Sequence, residues 1–281
     1  MPTWTIAAVQ MDCRLGDSAG NLSVMRSKLR EAAGRGARLI AFPECILSGY
    51  CFSSAAEAAS VAEPLPGPAS EALATDCREL GTFAIFGLLE RAGDRLFNSA
   101  ALVGPNGLIG RYRKAHLPCI GVDRCTAAGD LPFEVHDLGG LRVGMLICYD
   151  CGFPEASRVL TLAGADLIVL PTNWPPEAAS TARLLVPARA LENRIFFAAV
   201  DRIGTERGFR FIGQSRICDV TGDFLAISDD DRETILYAEI DPERARQKRI
   251  VNIPGEYELN RVADRRPELY GALTTGRTRS E

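Results

Sequence analysis

Apolar residues along the chain form two patterns: short continuous runs, and longer stretches with apolar positions three or four residues apart. The short runs are rich in aliphatic and β-branched residues and predict strands. They are Thr5–Val9, Arg38–Phe42, Thr82–Leu89, Asn98–Val103, Arg142–Cys148, Asp166–Leu170, Phe196–Val200, Ser215–Val220 and Ile235–Glu239. The periodic stretches predict helices over Asn21–Arg35, Ser70–Leu80, Pro154–Ala163 and Ala178–Glu192. This alternation predicts an α/β architecture with strands buried on both faces.

An internal similarity refines this picture. The segment Gly36–Pro43 parallels Gly164–Pro171, and each follows a predicted helix. Each is expected to be a central strand that ends at a proline. Two similar halves, sheet against sheet with helices outside, account for both the similarity and the length. Because no linker composition interrupts the sequence, we predict a single domain over residues 1–281. The polar tail from about Arg265 is expected to contact a neighbouring subunit.

Composition and charge limit the class of protein. Of 281 residues, 47% are hydrophobic and 24% charged, a balance typical of soluble globular domains. The net charge of −4 comes without a basic stripe, so neither nucleic acid nor an anionic membrane is expected as a partner. No apolar run approaches the ~20 residues of a membrane helix. Met1–Gln10 resembles a first strand more than a signal peptide. A cytoplasmic location follows, with the nine cysteines reduced.

Polar residues follow several predicted strands, where ligands bind in sheets of this kind. Three such phrases are Phe42–Glu44, Ile147–Asp150 and Pro171–Trp174. A fourth, Tyr112–Pro118, follows the glycine-rich turn Gly104–Gly110 and is predicted as a loop. The first three phrases are therefore expected to meet at one edge of the fold.

Cys148 is a candidate nucleophile within these phrases. A cysteine at a strand end is usually an inert small hydrophobe. A helix beginning near Pro154, however, favours a thiolate through its dipole. The thiol also needs a base. The two histidines, His116 and His136, lack the signatures of a Cys/His protease, and the Gly-x-Ser-x-Gly elbow is absent.

Glu44 is the better base. A carboxylate that ends an apolar run is partly desolvated, which raises its pKa towards the working pH; the alternative is an exposed loop acid. Lys114 lies beside Arg111 and Arg113 and is either part of a solvated basic run or a buried ammonium that stabilises an oxyanion. Together Cys148, Glu44 and Lys114 suffice for acyl transfer.

Three of these segments resemble the active-site signatures of the nitrilase superfamily of carbon–nitrogen hydrolases, in the same order and spacing. They are Ala41–Glu44, Tyr112–Leu117 and Leu146–Asp150. The resemblance continues through Phe153–Glu155, Leu167–Asn173, Arg189–Arg194 and Arg266–Tyr270, and so covers nearly the whole chain.

The resemblance implies a four-layer αββα sandwich that forms a homodimer or a larger homo-oligomer. It also implies Glu44 as base, Lys114 as oxyanion stabiliser and Cys148 as nucleophile, with the backbone amide of Tyr149 as second oxyanion donor. No cofactor and no metal is expected. The implied reaction is hydrolysis of a small linear amide through a cysteine thioester, with release of ammonia.

Departures from the superfamily pattern bear on the substrate. Members that act on nitriles tend to have Trp-Glu after the cysteine, whereas this chain has Tyr149-Asp150, which favours an amidase or a carbamoylase. Members that bind a free carboxylate often carry arginine near positions 151 and 152, which here are Cys151 and Gly152. Because neither can replace a bidentate arginine, N-carbamoyl amino acids are disfavoured unless Arg158, Arg183 or Arg202 serves instead. N-carbamoyl amines and nitriles remain alternatives.

Two further departures concern supporting residues. Many members have a second glutamate after the lysine; between Lys114 and Gly129 the only carboxylate is Asp123, which is the candidate to replace it. The Asn-Arg pair of the superfamily appears here as Asp201-Arg202. Aromatic and amide side chains near the site are predicted to line the substrate pocket. They are Tyr50, Phe153, Asn173 and Trp174.

The same residues give less support to other classes of function. Cys148 and Cys151 form a Cys-x-x-Cys motif between a strand and a helix, as in thiol–disulfide oxidoreductases, or Cys151 could be a redox partner that switches activity off. A zinc site lacks a second such motif. A non-enzymatic binding protein is expected to have lost a member of the triad, and none is lost.

Overall fold

The computed structural model describes residues 3–275. Contacts along the chain group into two compact units, Met1–Arg246 and Gln247–Glu281. The hydrolase-like segments from Ala41 to Arg194 lie in the first unit. A single domain over residues 1–281 stays a prediction.

The first unit contains two six-stranded sheets and one two-stranded sheet, formed by its tenth and eleventh strands. Its strands are β1 (Trp4–Gln10), β2 (Leu39–Ala41), β3 (Phe83–Ala92), β4 (Arg95–Gly104), β5 (Gly107–Arg113), β6 (Val135–Asp137), β7 (Arg142–Met145), β8 (Leu167–Thr172), β9 (Phe196–Asp201), β10 (Ile203–Glu206), β11 (Phe209–Ile212), β12 (Arg216–Cys218), β13 (Phe224–Ile227) and β14 (Thr234–Ile240). Its α-helices are α1 (Ser18–Gly34), α2 (Ala55–Ala59), α3 (Pro68–Leu80), α4 (Pro154–Leu162), α5 (Val186–Asn193) and α6 (Pro242–Arg246).

The strand orders are β14-β1-β2-β3-β4-β5 and β13-β12-β9-β8-β7-β6. In each sheet three central strands run parallel, β1-β2-β3 in one and β7-β8-β9 in the other. The two segments of the internal similarity become β2 and β8, and each lies between two parallel neighbours. Two halves of similar topology are therefore present, as the sequence predicts.

Alternating side chains of the first sheet pack in opposite directions. Ile6 and Leu39 join a core cluster that includes Val143 and Leu167 of the second sheet. Ala7 and Ile40 instead contact a cluster that contains side chains of α1 and α3. Because strand side chains point alternately to either face, the first sheet is covered by helices on one side and by the second sheet on the other. Helices α4 and α5 contribute Ala156, Leu160 and Ala190 to the first cluster. The first unit is therefore an αββα sandwich, as the resemblance implies.

Several elements differ from the sequence prediction. The end of the turn predicted over Gly104–Gly110 and the start of the loop predicted over Tyr112–Pro118 belong to β5, so the loop begins at Lys114. The helix predicted over 178–192 is divided into a 3-10 turn, a π-helical turn and α5, which starts beside Pro187. A proline nitrogen cannot donate a helical hydrogen bond, so a break at this point is expected.

The prolines of the two matching segments, Pro43 and Pro171, differ in their position relative to the strand end. β2 ends at Ala41, before Pro43, whereas β8 continues through Pro171, which lies opposite Val200 of β9. The other neighbour, β7, ends at Met145, opposite Val169. The last residues of β8 therefore have one unpaired edge, where a missing N–H is tolerated.

The second unit contains the antiparallel hairpin β15 (Ile250–Ile253) and β16 (Tyr257–Leu259) and the short 3-10 helices Pro267–Leu269 and Gly271–Leu273. Residues 276–281 of the predicted polar tail lie outside the described residues, so its contact with a partner subunit stays a prediction. Within residues 3–275, no helix combines the length and the hydropathy required to cross a membrane.

Candidate active site

Glu44, Lys114 and Cys148 follow the carboxyl ends of β2, β5 and β7, and all three side chains are buried. The backbone of β3 passes close behind Glu44 at Gly87. A Cβ atom at Gly87 would lie 2.6 Å from the Glu44 Cα and 2.3 Å from the Cys45 nitrogen. Only glycine therefore allows β3 to approach this closely.

Lys114 lies between two carboxylates. Its Nζ atom is 2.7 Å from Glu44 Oε1 and 2.5 Å from Asp123 Oδ2, and all three side chains are fully buried. Asp123 belongs to a short 3-10 helix, Gly121–Arg124. The carboxylate that the sequence offers in place of the second glutamate is therefore within reach of the lysine. Its role stays a proposal.

Asn98 of β4 joins the two carboxylates and was not recognised from the sequence. Its Nδ2 group donates to Glu44 Oε1 at 2.6 Å and to Asp123 Oδ1 at 2.8 Å. Glu44 Oε1 thus accepts from both Lys114 and Asn98. The other oxygen, Oε2, is buried and has no hydrogen-bond partner within residues 3–275. Burying a carboxylate oxygen without a hydrogen-bond partner is energetically unfavourable. Because Oε2 makes no hydrogen bond to the protein, it can accept one, or a proton, from a reacting group.

The protonation states follow from burial and neighbouring charge. Burial raises the pKa of Glu44 above its ordinary value; Lys114 opposes this rise and Asp123 adds to it. Burial alone would lower the pKa of Lys114, but the negative charges of the neighbouring carboxylates Glu44 and Asp123, together with the hydrogen bond to Asp123, raise it well above its ordinary value. Lys114 is therefore an ammonium at neutral pH.

Cys148 begins a 3-10 turn, Cys148–Gly152, three residues beyond the end of β7 rather than at the strand end. Its φ of 45° lies in the left-handed region, a strain typical of functional positions. Burial, and then the charge of Glu44, raise the pKa of the Cys148 thiol well above its ordinary value. Burial and the charge of Glu44 thus favour the neutral thiol and oppose the contribution expected from the helix at Pro154.

Asn173 and Trp174 follow β8 next to Cys148. The Asn173 backbone N–H opposes the rise of the Cys148 pKa by hydrogen bonding. Both polar atoms of the Asn173 side chain are buried without a hydrogen-bond partner among the described residues. Trp174 is buried, and its backbone N–H donates to Asp201 Oδ1 at 2.9 Å. The Asp201 that replaces the superfamily's asparagine thus fixes the turn that carries these two residues.

Tyr50, predicted to line the pocket, lies behind Asp123 and donates its hydroxyl to Asp123 Oδ2 at 2.8 Å. Phe153 stacks on His116 with the ring centroids 3.6 Å apart. Tyr149 is 46% exposed and meets the Phe153 ring edge-on. The aromatic residues named from the sequence therefore occupy two places, one behind the carboxylates and one beside the nucleophile turn.

Asp150 connects the lysine loop to the nucleophile turn. It is fully buried and accepts from the Tyr112 hydroxyl at 2.8 Å and from the Ile147 backbone N–H at 2.9 Å. Its other oxygen contacts the His116 backbone N–H at 3.1 Å and His116 Nδ1 at 2.7 Å. His116 is therefore engaged with Asp150 and not with Cys148. The sequence motif contained Asp150 but gave no sign of this role.

Cys151 has different surroundings from Cys148. Its side chain is fully buried, and burial raises its pKa to about 12. The charges that act on it are those of Arg189, Asp150 and Glu192, whereas Glu44 and Lys114 act on Cys148. Both cysteines are free. Nothing in this arrangement supports the thiol–disulfide alternative.

Arg202, considered as a substitute carboxylate anchor, is committed to structural pairs. Its side chain is 1% exposed and lies 2.8 Å from both Asp12 and Glu206. Within residues 3–275, no three His, Cys, Asp or Glu residues are grouped so as to hold a metal ion.

Comparison with known proteins gives a consistent result. The family model described as carbon-nitrogen hydrolase matches residues 5–250. The chain is 38% identical over 266 residues to a nitrilase of Pyrococcus abyssi, covering 94% of this chain and 98% of the relative. It is 37% identical over 222 residues to an (R)-stereoselective amidase of Pseudomonas sp, covering 78% and 79%. A solved structure of a variant amidase from Nesterenkonia sp. AN1 in complex with butyramide aligns with a TM-score of 0.79 and 25% identity, covering 96% of each chain.

Proposed function

The chain belongs to the carbon–nitrogen hydrolase family of the nitrilase superfamily, and we propose that it is an amidase that releases ammonia from a small linear amide through a thioester on Cys148. The observation that carries this proposal is the state of Glu44. One of its oxygens is fixed by Lys114 and Asn98, and the other is buried and unpartnered. A carboxylate held in this way is prepared to accept a proton from a nearby thiol.

Acylation begins with a neutral thiol. Since the pKa values of Cys148 and Glu44 are both raised, the thiol keeps its proton until attack, when Glu44 Oε2 removes it as general base. The sulfur bonds to the amide carbon and forms a tetrahedral intermediate. Glu44 then passes the proton to the nitrogen, the C–N bond breaks, and ammonia leaves behind a thioester.

The oxyanion of that intermediate requires fixed donors. The Lys114 ammonium and the backbone N–H of Tyr149 are proposed for this role. Asp123 Oδ2 lies 2.5 Å from Lys114 Nζ, and this contact restricts reorientation of the ammonium during the reaction. Preorganised donors of this kind contribute about 3–4 kcal/mol each in other enzymes.

Deacylation uses the same groups in reverse. A water molecule attacks the thioester carbon while Glu44 takes its proton. The C–S bond then breaks, the carboxylic acid departs, and the proton returns to the Cys148 sulfur. No cofactor enters either half of the reaction.

The choice of amide over nitrile rests on Tyr149-Asp150, because superfamily members that act on nitriles tend to carry Trp-Glu there. The (R)-stereoselective amidase of Pseudomonas sp and the butyramide-bound amidase of Nesterenkonia sp. AN1 are consistent with this choice. Asn173, whose side-chain amide is unpartnered, is proposed to contact the substrate, with Trp174 and Phe153 nearby.

A homo-oligomer is part of the proposal. Helix α4 exposes Val159 and Leu162, each at 44%. Helix α5, which packs against α4, exposes Leu191 at 43%, and the π-helical turn that precedes α5 exposes Leu184 at 65%. Apolar residues grouped in this way are typical of subunit contacts. Light scattering after size exclusion is expected to give at least twice the chain mass of 30.4 kDa. A monomer at micromolar concentration would reject this part of the proposal.

The function is tested by an ammonia-release screen over aliphatic amides including butyramide, ω-amides, amino-acid amides, N-carbamoyl amines and aliphatic and aromatic nitriles. Turnover is expected with an amide and not with the matching nitrile. Cys148→Ala should abolish ammonia release. Cys151 is a buried cysteine in the same turn, and Cys151→Ala should leave the rate of ammonia release within about threefold of that of the unmodified chain. Volume-reducing changes away from the reacting atoms mainly affect stability.

Mass spectrometry during turnover should show the acyl group on Cys148. Ammonia release that survives Cys148→Ala would reject the mechanism. Turnover of nitriles or N-carbamoyl amines in preference to every amide would reject the substrate class while leaving the family unaffected.

A further inference from the structure

We infer that Glu206 is a positioning residue for Lys114: its carboxylate fixes the backbone at Tyr50 and Cys51, and the Tyr50 side chain fixes Asp123 against the lysine. This inference rests on the proposed function, in which Lys114 stabilises the oxyanion. Glu206 is the last residue of β10, in the C-terminal half of the first unit, and it lies outside all the segments that resemble the superfamily signatures.

The first link joins Glu206 to the loop that follows Glu44. A single oxygen, Oε2, accepts from the Tyr50 N–H at 2.8 Å and from the Cys51 N–H at 2.5 Å. The Glu206 side chain is only 4% exposed. Two consecutive backbone amides held by one buried carboxylate oxygen leave this part of the loop little freedom.

Arg202 provides the second link, by compensating the buried carboxylate. Its Nη1 lies 2.8 Å from Glu206 Oε1, an ion pair whose angle does not suit a hydrogen bond. The same guanidinium donates through Nε and Nη2 to Asp12 Oδ1 at 3.0 and 2.8 Å. Arg202 therefore connects Glu206 to Asp12, which follows β1, and contacts the Glu206 oxygen that does not bind the Tyr50 loop.

The third link is the Tyr50 side chain. Its ring packs so closely on Gly121 that a Cβ there would come within 2.1 Å of it, and Phe211 meets the ring edge-on at 6.3 Å between centroids. The hydroxyl donates to Asp123 Oδ2, the same oxygen that contacts Lys114 Nζ. Burial, and then the charges of Glu44 and Asp123, raise the pKa of Tyr50 well above its ordinary value, so the hydroxyl remains a donor.

Glutamine at position 206 would preserve the shape but not the contacts. Its amide has one carbonyl oxygen and one NH2 group. Either the NH2 group faces the two backbone N–H groups, or it faces the Arg202 guanidinium, and donors oppose donors in both cases. The loop is then expected to shift, which moves the Tyr50 hydroxyl and loosens the support of Asp123. Small displacements of a positioned group have large effects on rate.

A role that only stabilises the fold would be hard to separate from this one by a single variant. The test therefore compares Glu206→Gln, Tyr50→Phe and the double variant. We measure kcat and KM on the best amide. Each kcat is divided by the concentration of Cys148 that reacts with substrate in a single turnover. Each single change is expected to lower kcat about tenfold with KM within about twofold.

Because both changes break the same chain of contacts, the double variant is expected to be no more than about twofold slower than the slower single variant. Glu57→Gln is the matched control: Glu57 is a glutamate that contacts the same loop at Ser53, but it lies at the surface in a pair with Arg207. Its kcat should not change.

Multiplicative losses of about a hundredfold in the double variant would overturn the inference, as would a Glu206→Gln protein with unchanged kcat per reactive Cys148. A crystal structure of Glu206→Gln provides a readout independent of turnover. The Tyr50 hydroxyl is expected to be displaced from Asp123, and an unchanged 2.8 Å contact would reject the inference even if no amide proved to be a substrate. An inactive unmodified chain would instead reject the proposed function.

Discussion

The Lys114 ammonium lies 2.7 Å from Glu44 Oε1, and neither side chain is exposed to solvent. The base and the oxyanion stabiliser of the proposed mechanism are therefore in direct contact. Removal of either partner of a buried pair leaves an uncompensated charge in a medium that solvates it poorly. Catalysis and folding consequently depend on the same contact, and variants at these positions must be assayed for both.

Lys114→Met is expected to lower kcat/KM by about 10²–10³-fold, as for loss of an oxyanion donor, and to destabilise the protein by about 3–5 kcal/mol, because Glu44 and Asp123 lose their shared cation. Urea unfolding measures the second effect. Lys28→Met is the control, since Lys28 pairs with Glu31 and Glu233 at the surface and should cost less than about 1 kcal/mol. Equal losses of stability at both positions would contradict the buried pairing.

The pH profile should identify Glu44 as the base. Because burial and Asp123 raise its pKa, kcat/KM is expected to fall on the acid side with a midpoint above the ordinary glutamate value of 4.5. Asp123→Asn removes one of the negative charges that raise the pKa, so the acid limb should move to lower pH. A limb that stays in place or moves to higher pH would rule out this coupling. The measurement is kcat/KM from pH 4 to 9 in both proteins.

Alkylation of Cys148 by iodoacetamide reports directly on its thiol. Since burial and Glu44 raise the pKa of Cys148 well above the ordinary value of 9.0, the alkylation rate should still be rising with pH at pH 9. Glu44→Gln removes the negative charge and is expected to shift the rise to lower pH. Peptide mapping restricts the measurement to Cys148. A plateau near neutral pH in the unmodified chain would indicate a preformed thiolate.

Asp150→Asn should separate the lysine loop from the nucleophile turn. The carboxylate contacts donors from Tyr112, Ile147 and His116, and an asparagine NH2 would face at least one of them. We expect a loss of about 2–4 kcal/mol in the free energy of unfolding, in the range found when a buried polar network is broken. Asp137→Asn, at an exposed aspartate that accepts from two glycine amides, is the control. Similar stability of both variants would argue against the proposed connection.

The lowered pKa of Asp166 makes the stability of the protein depend on pH. Although burial alone would raise its pKa, hydrogen bonds from Arg246 and Arg142 hold it below the ordinary 3.8. A depressed folded-state pKa stabilises the protein above the unfolded value, and this contribution is lost as the pH falls through the folded value. Asp166→Asn should therefore be less stable at pH 6 and show a shallower loss of stability below about pH 4. An unchanged slope between pH 4 and 2 in urea unfolding would disprove it.

Local patterns in the sequence predicted much of the architecture. Continuous apolar runs identified most of the central strands, because a parallel strand covered on both faces needs no polar positions. The similar segments ending at Pro43 and Pro171 correctly indicated two matching halves. By contrast, β5 was missed: its glycines, Gly107 and Gly110, are typical of turns, and the strand forms because β4 pairs with it along one edge. The pairing begins at Gly104 and Gly107, so a glycine that marks the hairpin turn also belongs to the returning strand.

The chain by itself determined the residue types of the site, the order in which they occur and, through the resemblance, the family. Tertiary structure alone decided how they are supported. Asn98 reaches Glu44 across 54 positions, and Glu206 reaches Tyr50 across 156. It also decided the burial of Cys148, which together with Glu44 favours the neutral thiol. The effect of a helix dipole can be anticipated from a proline, but the extent of burial cannot. Hydrogen-bond partners and desolvation arise from the packing of distant segments, whereas periodicity and motif spacing are properties of neighbouring residues.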